Sequence, residues 1–460
     1  MRAANIHQEE GGNRKSVRAH AALVLAMTAV LVHGPARAQE PTPAQAAAPA
    51  ADAPSTATTD ARVAELEQQV RLLQSQREEE QKKAAEEKKK GVSVTAAPGK
   101  GLTVTTDDGR FGITVRARAQ LRETLTREKD KTTNEVNVKT LRLVTQGHVL
   151  TTDLKYTIQL AFGGNDFETG SSSPIFDAFV DYTKVRDLNL RVGQYFVPFD
   201  RARTIREFAL QLVDRQQVVQ ELTLDRDVGL MLYSNDLGGL NGLLGYHLFV
   251  GGGEGRNRFG AQATGGIYVA RLVLRPWGAF DDDQEGDLQR LPKPRLALGV
   301  AGGYNQGTNR QRSTTGNALT LGTLDYRHAA ADVVFKYSGF SFLGEAVLRS
   351  AGRDVLEGTN ASGAAIREFS RSGWGYFLQA GLMVSPLVEV AARWDHLFAF
   401  AGTDPALVTQ VNTQGRQVGG GLNVYLNGHA FKLQTDYFYI FGHDRSAGRH
   451  IARLQLDASF

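Results

Sequence analysis

The sequence predicts an all-β chain: a transmembrane antiparallel β-barrel of about 16 strands, preceded by a short N-terminal coiled-coil helix. Three observations predict it. Over Arg449–Phe460, Ala452, Leu454, Leu456, Ala458 and Phe460 are apolar at even positions, whereas Arg449, Arg453, Gln455, Asp457 and Ser459 are polar, and Ile451 alone breaks the period among the odd positions. A period of two is a strand with one greasy and one wet face. From residue 109 onward, short and long connections between such strands alternate along the chain, as when short turns gather at one rim of a barrel and long loops at the other. Finally, the chain opens on an export pattern.

Residues 1–38 carry that pattern. Arg14, Lys15 and Arg18 precede an apolar run from Ala21 to Val32, and Ala36-Arg37-Ala38 offers a small-x-small cleavage site. Residues 39–60, rich in Ala, Pro and Thr, read as a disordered spacer. In 61–90, Val63, Leu66, Val70 and Leu73 occupy a and d positions of two heptads, flanked by Glu65, Glu67, Arg71 and Arg77. So short a coiled coil is marginal alone and needs a neighbouring assembly, such as three barrels side by side. Residues 91–108 read as a linker and 109–460 as the barrel. Its strands fall near 109–122, 138–150, 153–163, 175–184, 187–197, 227–235, 240–250, 265–277, 294–305, 322–337, 340–349, 373–384, 387–396, 415–426, 429–441 and 449–460. Turn chemistry marks short connections such as Ser385-Pro386 and Asn427-Gly428. Long ones fall at 123–137, 164–174, 198–226, 251–264, 306–321, 350–372, 397–414 and 442–448. One connection departs: 278–293 belongs to the short-turn rim by parity, yet is long and acidic. Trp277, Trp374, Trp394, Tyr437 and Tyr439 fall where interfacial aromatic girdles form.

Composition agrees. No uninterrupted apolar stretch of about 20 residues follows the first forty, which argues against membrane helices. A mean hydropathy of -0.29 does not argue against a barrel, whose strands are half polar. Enzyme signals are poor. Neither a G-x-S-x-G elbow nor a G-x-x-x-x-G-K-S/T loop occurs, and the histidines form no i, i+4 metal pair. Asp281, Asp283, Glu285 and Gly286 mimic the start of a calcium loop, but Pro292 stands where the closing Glu belongs. The reading is therefore no enzyme, no cofactor and no metal. The basic balance does not imply nucleic acid in an exported barrel.

The residues that could carry function are arginines. On the first strand Arg110, Arg116, Arg118 and Arg122 share the wet face, and Arg142 and Arg191 point the same way by parity. Arginine stays charged, and its planar fork binds phosphate or carboxylate through two parallel hydrogen bonds. Residues 91–460 hold 31 Arg, 9 Lys and 37 acidic residues, so the cationic face is local to this arc. The connection 198–226 has an apolar stripe at helical spacing (Ile205, Phe208, Ala209, Leu212, Val213 and Val219) and a capping-box spacing at Thr204 and Glu207. It is the third external loop, and it can fold inward and narrow the lumen. Arg201, Arg203, Arg206, Arg215 and Arg226 would then stand at the constriction among Asp200, Glu207, Asp214, Glu221, Asp225 and the adjoining Asp227.

The runs Asp177-Ala178-Phe179-Val180-Asp181-Tyr182, Leu190 to Phe199 and Arg226-Asp227-Val228-Gly229 resemble the phosphate-selective porin O and P family. The signal, the coiled coil and the ending on Phe460 extend the likeness along the chain, since bacterial outer-membrane barrels finish on Phe. The resemblance implies a trimeric, sixteen-stranded outer-membrane channel. It also implies a third loop turned inward and an arginine ladder guiding small anions. Outer-membrane lipid, two further copies and the barrel-assembly machinery, for which Phe460 is the terminal signal, would be its partners. The family's constriction lysine has no counterpart, because no Lys occurs between Val185 and Pro292. A general diffusion porin and an envelope-tethering barrel are the alternative readings.

Overall fold

The computed structural model describes residues 56–88, 91–164, 166–167, 173–258 and 265–460, with side chains of the first helix described over 61–83. The signal and the spacer as far as residue 55 lie outside the described residues. Helix α1 (Thr56–Lys88) begins within the predicted spacer. Its Val63, Leu66, Val70 and Leu73 are each about half exposed, so one copy of the chain leaves the heptad stripe uncovered.

The predicted linker is instead a hairpin of β1 (Val92–Ala97) and β2 (Gly101–Thr106). Its Val/Thr alternation is a strand signal the linker reading passes over. The turn that follows holds Arg110, which is exposed and lies before the first wall strand, so it does not belong to the inward ladder.

The wall begins with β3 (Gly112–Glu128) and β4 (Lys131–Val149). These run straight through the expected loop 123–137 and reverse at Lys129–Asp130, with Lys129 at φ 51°. β-Branched residues (Thr124, Thr126, Thr132, Thr133 and Val136) keep the segment extended. Next come β5 (Thr151–Ala161), β6 (Ile175–Tyr182), β7 (Asn189–Phe196), β8 (Arg226–Ser234), β9 (Leu244–Gly251), β10 (Gly266–Leu274), β11 (Arg295–Thr308), β12 (Leu324–Tyr337) and β13 (Phe340–Ala351). A small hairpin, β14 (Val355–Thr359) with β15 (Ala365–Phe369), stands in the connection 352–372. Then follow β16 (Gly373–Met383), β17 (Val388–Ala399), β18 (Arg416–Asn427), β19 (Phe431–Phe441) and β20 (Arg449–Ser459). Each wall strand pairs antiparallel with the next, and β20 returns to β3, closing a sixteen-stranded barrel.

The faces are inverted relative to a water-soluble protein. Along β20, Arg453, Gln455 and Asp457 are buried while Leu454 is 45% exposed. The polar residues face a filled interior, and Leu230, Leu248, Leu272, Val300, Leu378 and Leu422 form an outward apolar band suited to lipid.

At the seam β3 has two partners on one edge. β20 takes Arg118 to Glu128, and β2 takes Gly112 to Val115, laid end to end with β20. Ala117 and Phe460 exchange backbone hydrogen bonds between the two. Gly101 sits at this junction with φ +82°, and a Cβ there would lie 2.2 Å from the Val115 carbonyl oxygen. Gly101→Val is expected to cost about 2 kcal/mol or more, from the left-handed backbone and the clash together. The measurement is the temperature at which the folded, fast-migrating electrophoretic form is lost. An unchanged temperature would mean that the hairpin contributes nothing to the seam.

Candidate functional site

The β7–β8 connection, residues 197–225, lies inside the barrel. Its apolar side chains are covered by the inward face of one arc of wall: Val218 and Leu222 pack with Phe249, Ile267, Val347 and Leu397, and Ala202, Ile205, Ala209 and Val219 with Ala297, Val334, Leu343 and Phe377. The amphipathic stripe is therefore real, but the single capped helix expected from it is not. Helix α2 (Arg201–Thr204), a tight turn at Glu207–Ala209 and helix α3 (Gln217–Leu222) replace it. Asp200 caps α2 by accepting from the Arg203 amide at 2.7 Å, and Glu207 reaches out to Arg142 instead of back to Thr204. Wall side chains satisfy the irregular backbone. Glu345 accepts from the amides of Arg201 and Ala202, and Asp436 from that of Val213. Lys432 and Gln434 donate to the Leu210 carbonyl, and Asn423 to that of Gln211. A backbone buried without such partners would not stay inside.

Because this loop fills the β9–β17 side, open volume remains along the opposite arc, β3 to β6. Two cavities follow one another there, and a third lies against β7 to β10. The one at the long-loop rim has about 550 Å³ and is lined by Arg122, Arg203, Arg310 and Arg312 among others. It meets a cavity of only about 30 Å³ between Arg118, Arg142, Arg206, Glu207 and Phe208. Beyond Arg206 and Phe208 the third, about 670 Å³, reaches the short-turn rim.

Most of the predicted arginines are already bound. Arg122 donates to Asp214 at 2.8 Å and to the Val213 carbonyl, so it anchors the loop. Arg142 bridges Asp166 and Glu207 at 2.8 and 2.6 Å. Arg191 forks onto Asp181 at 2.7 and 2.8 Å. Arg201 bridges Asp282 and Asp332, and Arg203 holds Asp225. Arg226 pairs with Asp177 between the rings of Phe176 and Phe196, 3.6 Å from each centroid. Arg215 donates to the carbonyls of Ala202 and Ile205 and holds the loop to itself. Burial would raise the Glu207 carboxyl, but Arg142, Arg215, Arg203 and Arg226 outweigh it and hold it at about 2.

Three arginines differ. Among the described residues, Arg116 donates only to the neutral Gln146 side chain, at 2.8 Å. Arg118 lies over the Phe208 ring at 3.3 Å, and its Nε and Nη1 are buried without a hydrogen-bond partner among the described residues. Arg206 forms no ion pair with a described residue. Arg118 and Arg206 line the narrow cavity, so cationic charge lacking a carboxylate partner among the described residues stands at the smallest of the three cavities. Strand parity finds Arg116 and Arg118. Their freedom depends on which carboxylates the loop brings to which arginine, and spacing does not encode that. The same parity on β10, β13, β17 and β20 points to Arg271, Arg349, Arg393 and Arg453, inward residues that the sequence reading does not single out. Phe460 is 66% exposed and offers its backbone to Ala117.

No family model and no curated protein matches the chain. Among solved structures it is similar to Salmonella typhi OmpF in complex with daunomycin, at a TM-score of 0.50 and 13% identity, over 80% of this chain and 100% of that one. An anion-selective porin from Comamonas acidovorans aligns at 0.49 and 11% identity, covering 76% and 99%. The outer-membrane channel DcaP of Acinetobacter baumannii aligns at 0.45 and 12%, covering 76% and 97%. The fold is that of a porin-like outer-membrane channel.

Proposed function

We propose that this chain is an outer-membrane porin that passes small anions, phosphate among them, along the β3–β6 arc and then past β7–β10, with the β7–β8 loop as its constriction. The observation that carries the reading is the pair Arg118 and Arg206, which stands at the narrow cavity without a carboxylate partner among the described residues, with Arg116 beside Arg118 on the same strand face. A cation that is already paired offers a passing ion little. An unpaired one replaces part of an anion's hydration shell, and a single weak site lets the anion leave again. Phosphate fits because guanidinium forks match its oxygens. Export by the N-terminal signal and assembly as a homotrimer belong to the same reading. The uncovered heptad stripe of α1 supports the trimer, since two more copies would cover it. The pairing of the other arginines favours a general diffusion porin as the second reading.

The test is the zero-current potential of the purified protein in a planar bilayer under a potassium chloride gradient, repeated with phosphate. The expected result is anion selectivity and block of the chloride current by phosphate. Weak selectivity without block would leave the general porin. A silent bilayer would remove the channel reading and turn attention to the helix.

A further inference from the structure

The β10–β11 connection, residues 275–294, leaves the short-turn rim, where its counterparts are brief reversals such as Ser338–Gly339 and Asn427–Gly428. It does not hang below the barrel. It turns up into the lumen and meets the β7–β8 loop from the opposite side. The Glu285 carboxylate, 2% exposed, accepts from the Gln211 amide at 2.7 Å, from Gln379 at 2.8 Å and from Gln216 at 3.3 Å. Asp282 accepts from Arg201 at 2.8 Å and from Arg275 at 3.0 Å. Phe280 packs against the apolar cluster of Ala202, Ile205, Ala209 and Leu210. The wall secures the insert in turn. Lys336 donates to the carbonyls of Asp281 and Gln284, and Asp287 accepts from the amides of Leu291 and Gly339.

We propose that this insert is a second selectivity element in series with the β7–β8 loop, acting on ions in the inner cavity. The inference rests on the channel reading above. Two observations support it independently. The insert's own residues, Ala279 to Gln284, form one side of the inner cavity of about 670 Å³. Within that stretch the acidic residues fall into two sets. Asp282 is buried and engaged with arginine, whereas Asp281 and Asp283 are exposed to the cavity. Asp282 and Glu285 anchor the insert to the loop and the wall. Among the described residues the Asp281 carboxylate accepts only within the insert, from the Asp283 amide at 3.2 Å and the Gln284 side chain at 2.7 Å, which an Asn oxygen can still do. Arg206 lines the same cavity, and the two carboxylates offset its charge there, so they oppose an anion entering from the inner side more than one arriving past Arg118. The consequence is a current that depends on direction and an anion preference below what the arginines alone would give.

The experiment compares wild type with Asp281→Asn/Asp283→Asn in planar bilayers at low salt. It reads the current–voltage asymmetry in symmetric potassium chloride and the zero-current potential in a gradient. The expected result is that the variant conducts, loses most of the asymmetry, and raises its chloride-over-potassium permeability ratio about twofold or more. A variant that conducts with unchanged asymmetry and potential would overturn the proposal while leaving the channel intact. Silence of both proteins would instead overturn the channel reading, and this inference with it. A second variant replaces 280–291 by Asn-Gly. It is expected to raise single-channel conductance, and unchanged conductance counts against an inner constriction.

Discussion

Arg118→Ser is expected to lower the chloride-over-potassium permeability ratio about fivefold to tenfold and to abolish phosphate block, with single-channel conductance altered much less. The Arg118 guanidinium lies against the Phe208 ring and faces the narrow cavity, with two of its nitrogens lacking a partner among the described residues. At about 4 Å and an effective dielectric near 20, a unit charge acts on an ion with about 4 kcal/mol. If hydration and screening leave a third of that, partition changes about tenfold. Arg122→Ser on the same face is the control. Arg122 is already neutralised by Asp214, which keeps Arg453 as a second partner, so its removal is expected to move the ratio much less. Equal effects from both variants would show that pairing does not decide which arginines act on the ion, and the assignment of the site would fall.

Asp332→Ala is expected to loosen the β7–β8 loop. It should appear as higher open-channel noise and a larger, less uniform single-channel conductance. The Asp332 side chain is fully buried and accepts from both Arg201, at 2.5 Å, and Arg271. Arg201 joins the loop to the wall and the insert, and Arg271 donates onward to the Phe199 carbonyl at 2.8 Å. Removing the carboxylate strands the buried Arg271 guanidinium and takes one of two carboxylates from Arg201, and deleting one partner of a buried pair costs about 3–5 kcal/mol. Asp282 still holds Arg201, so the barrel is expected to fold while the loop becomes mobile. Noise and conductance matching wild type would mean that the apolar packing of Val218, Leu222 and Ile205 alone positions the loop.

The wall is legible in the sequence because a period of two survives in every long strand, and the inward positions of Arg116, Arg118, Arg142 and Arg191 follow from it. Strand ends are less legible. Thr124 to Val136 is polar enough to read as a loop, yet β-branched enough to remain paired. The β1–β2 hairpin escapes notice because six-residue strands give a weak alternation signal. The apolar stripe of 205–219 gives the loop's inward direction. It does not give the breaks between its helical pieces, because those are set by distant side chains (Glu345, Asp436, Asp395) competing for backbone groups. The same distance in sequence hides which arginines are free. The long, acidic 278–293 stands out as an exception to the alternation of connections. Nothing local says that it turns inward, since Glu285 finds its partners on the β7–β8 loop and β16.

The edge that β3 shares between β2 and β20 imposes an order of events during synthesis. β2 is a neighbour of β3 in sequence and can occupy its share as soon as both have emerged. The remainder of that edge waits for β20, which is made after every other wall strand. Until β20 is made, the sheet therefore has a short protected margin and a long sticky one. That longer margin, Arg118 to Glu128, stays open to any competing strand until the final one covers it.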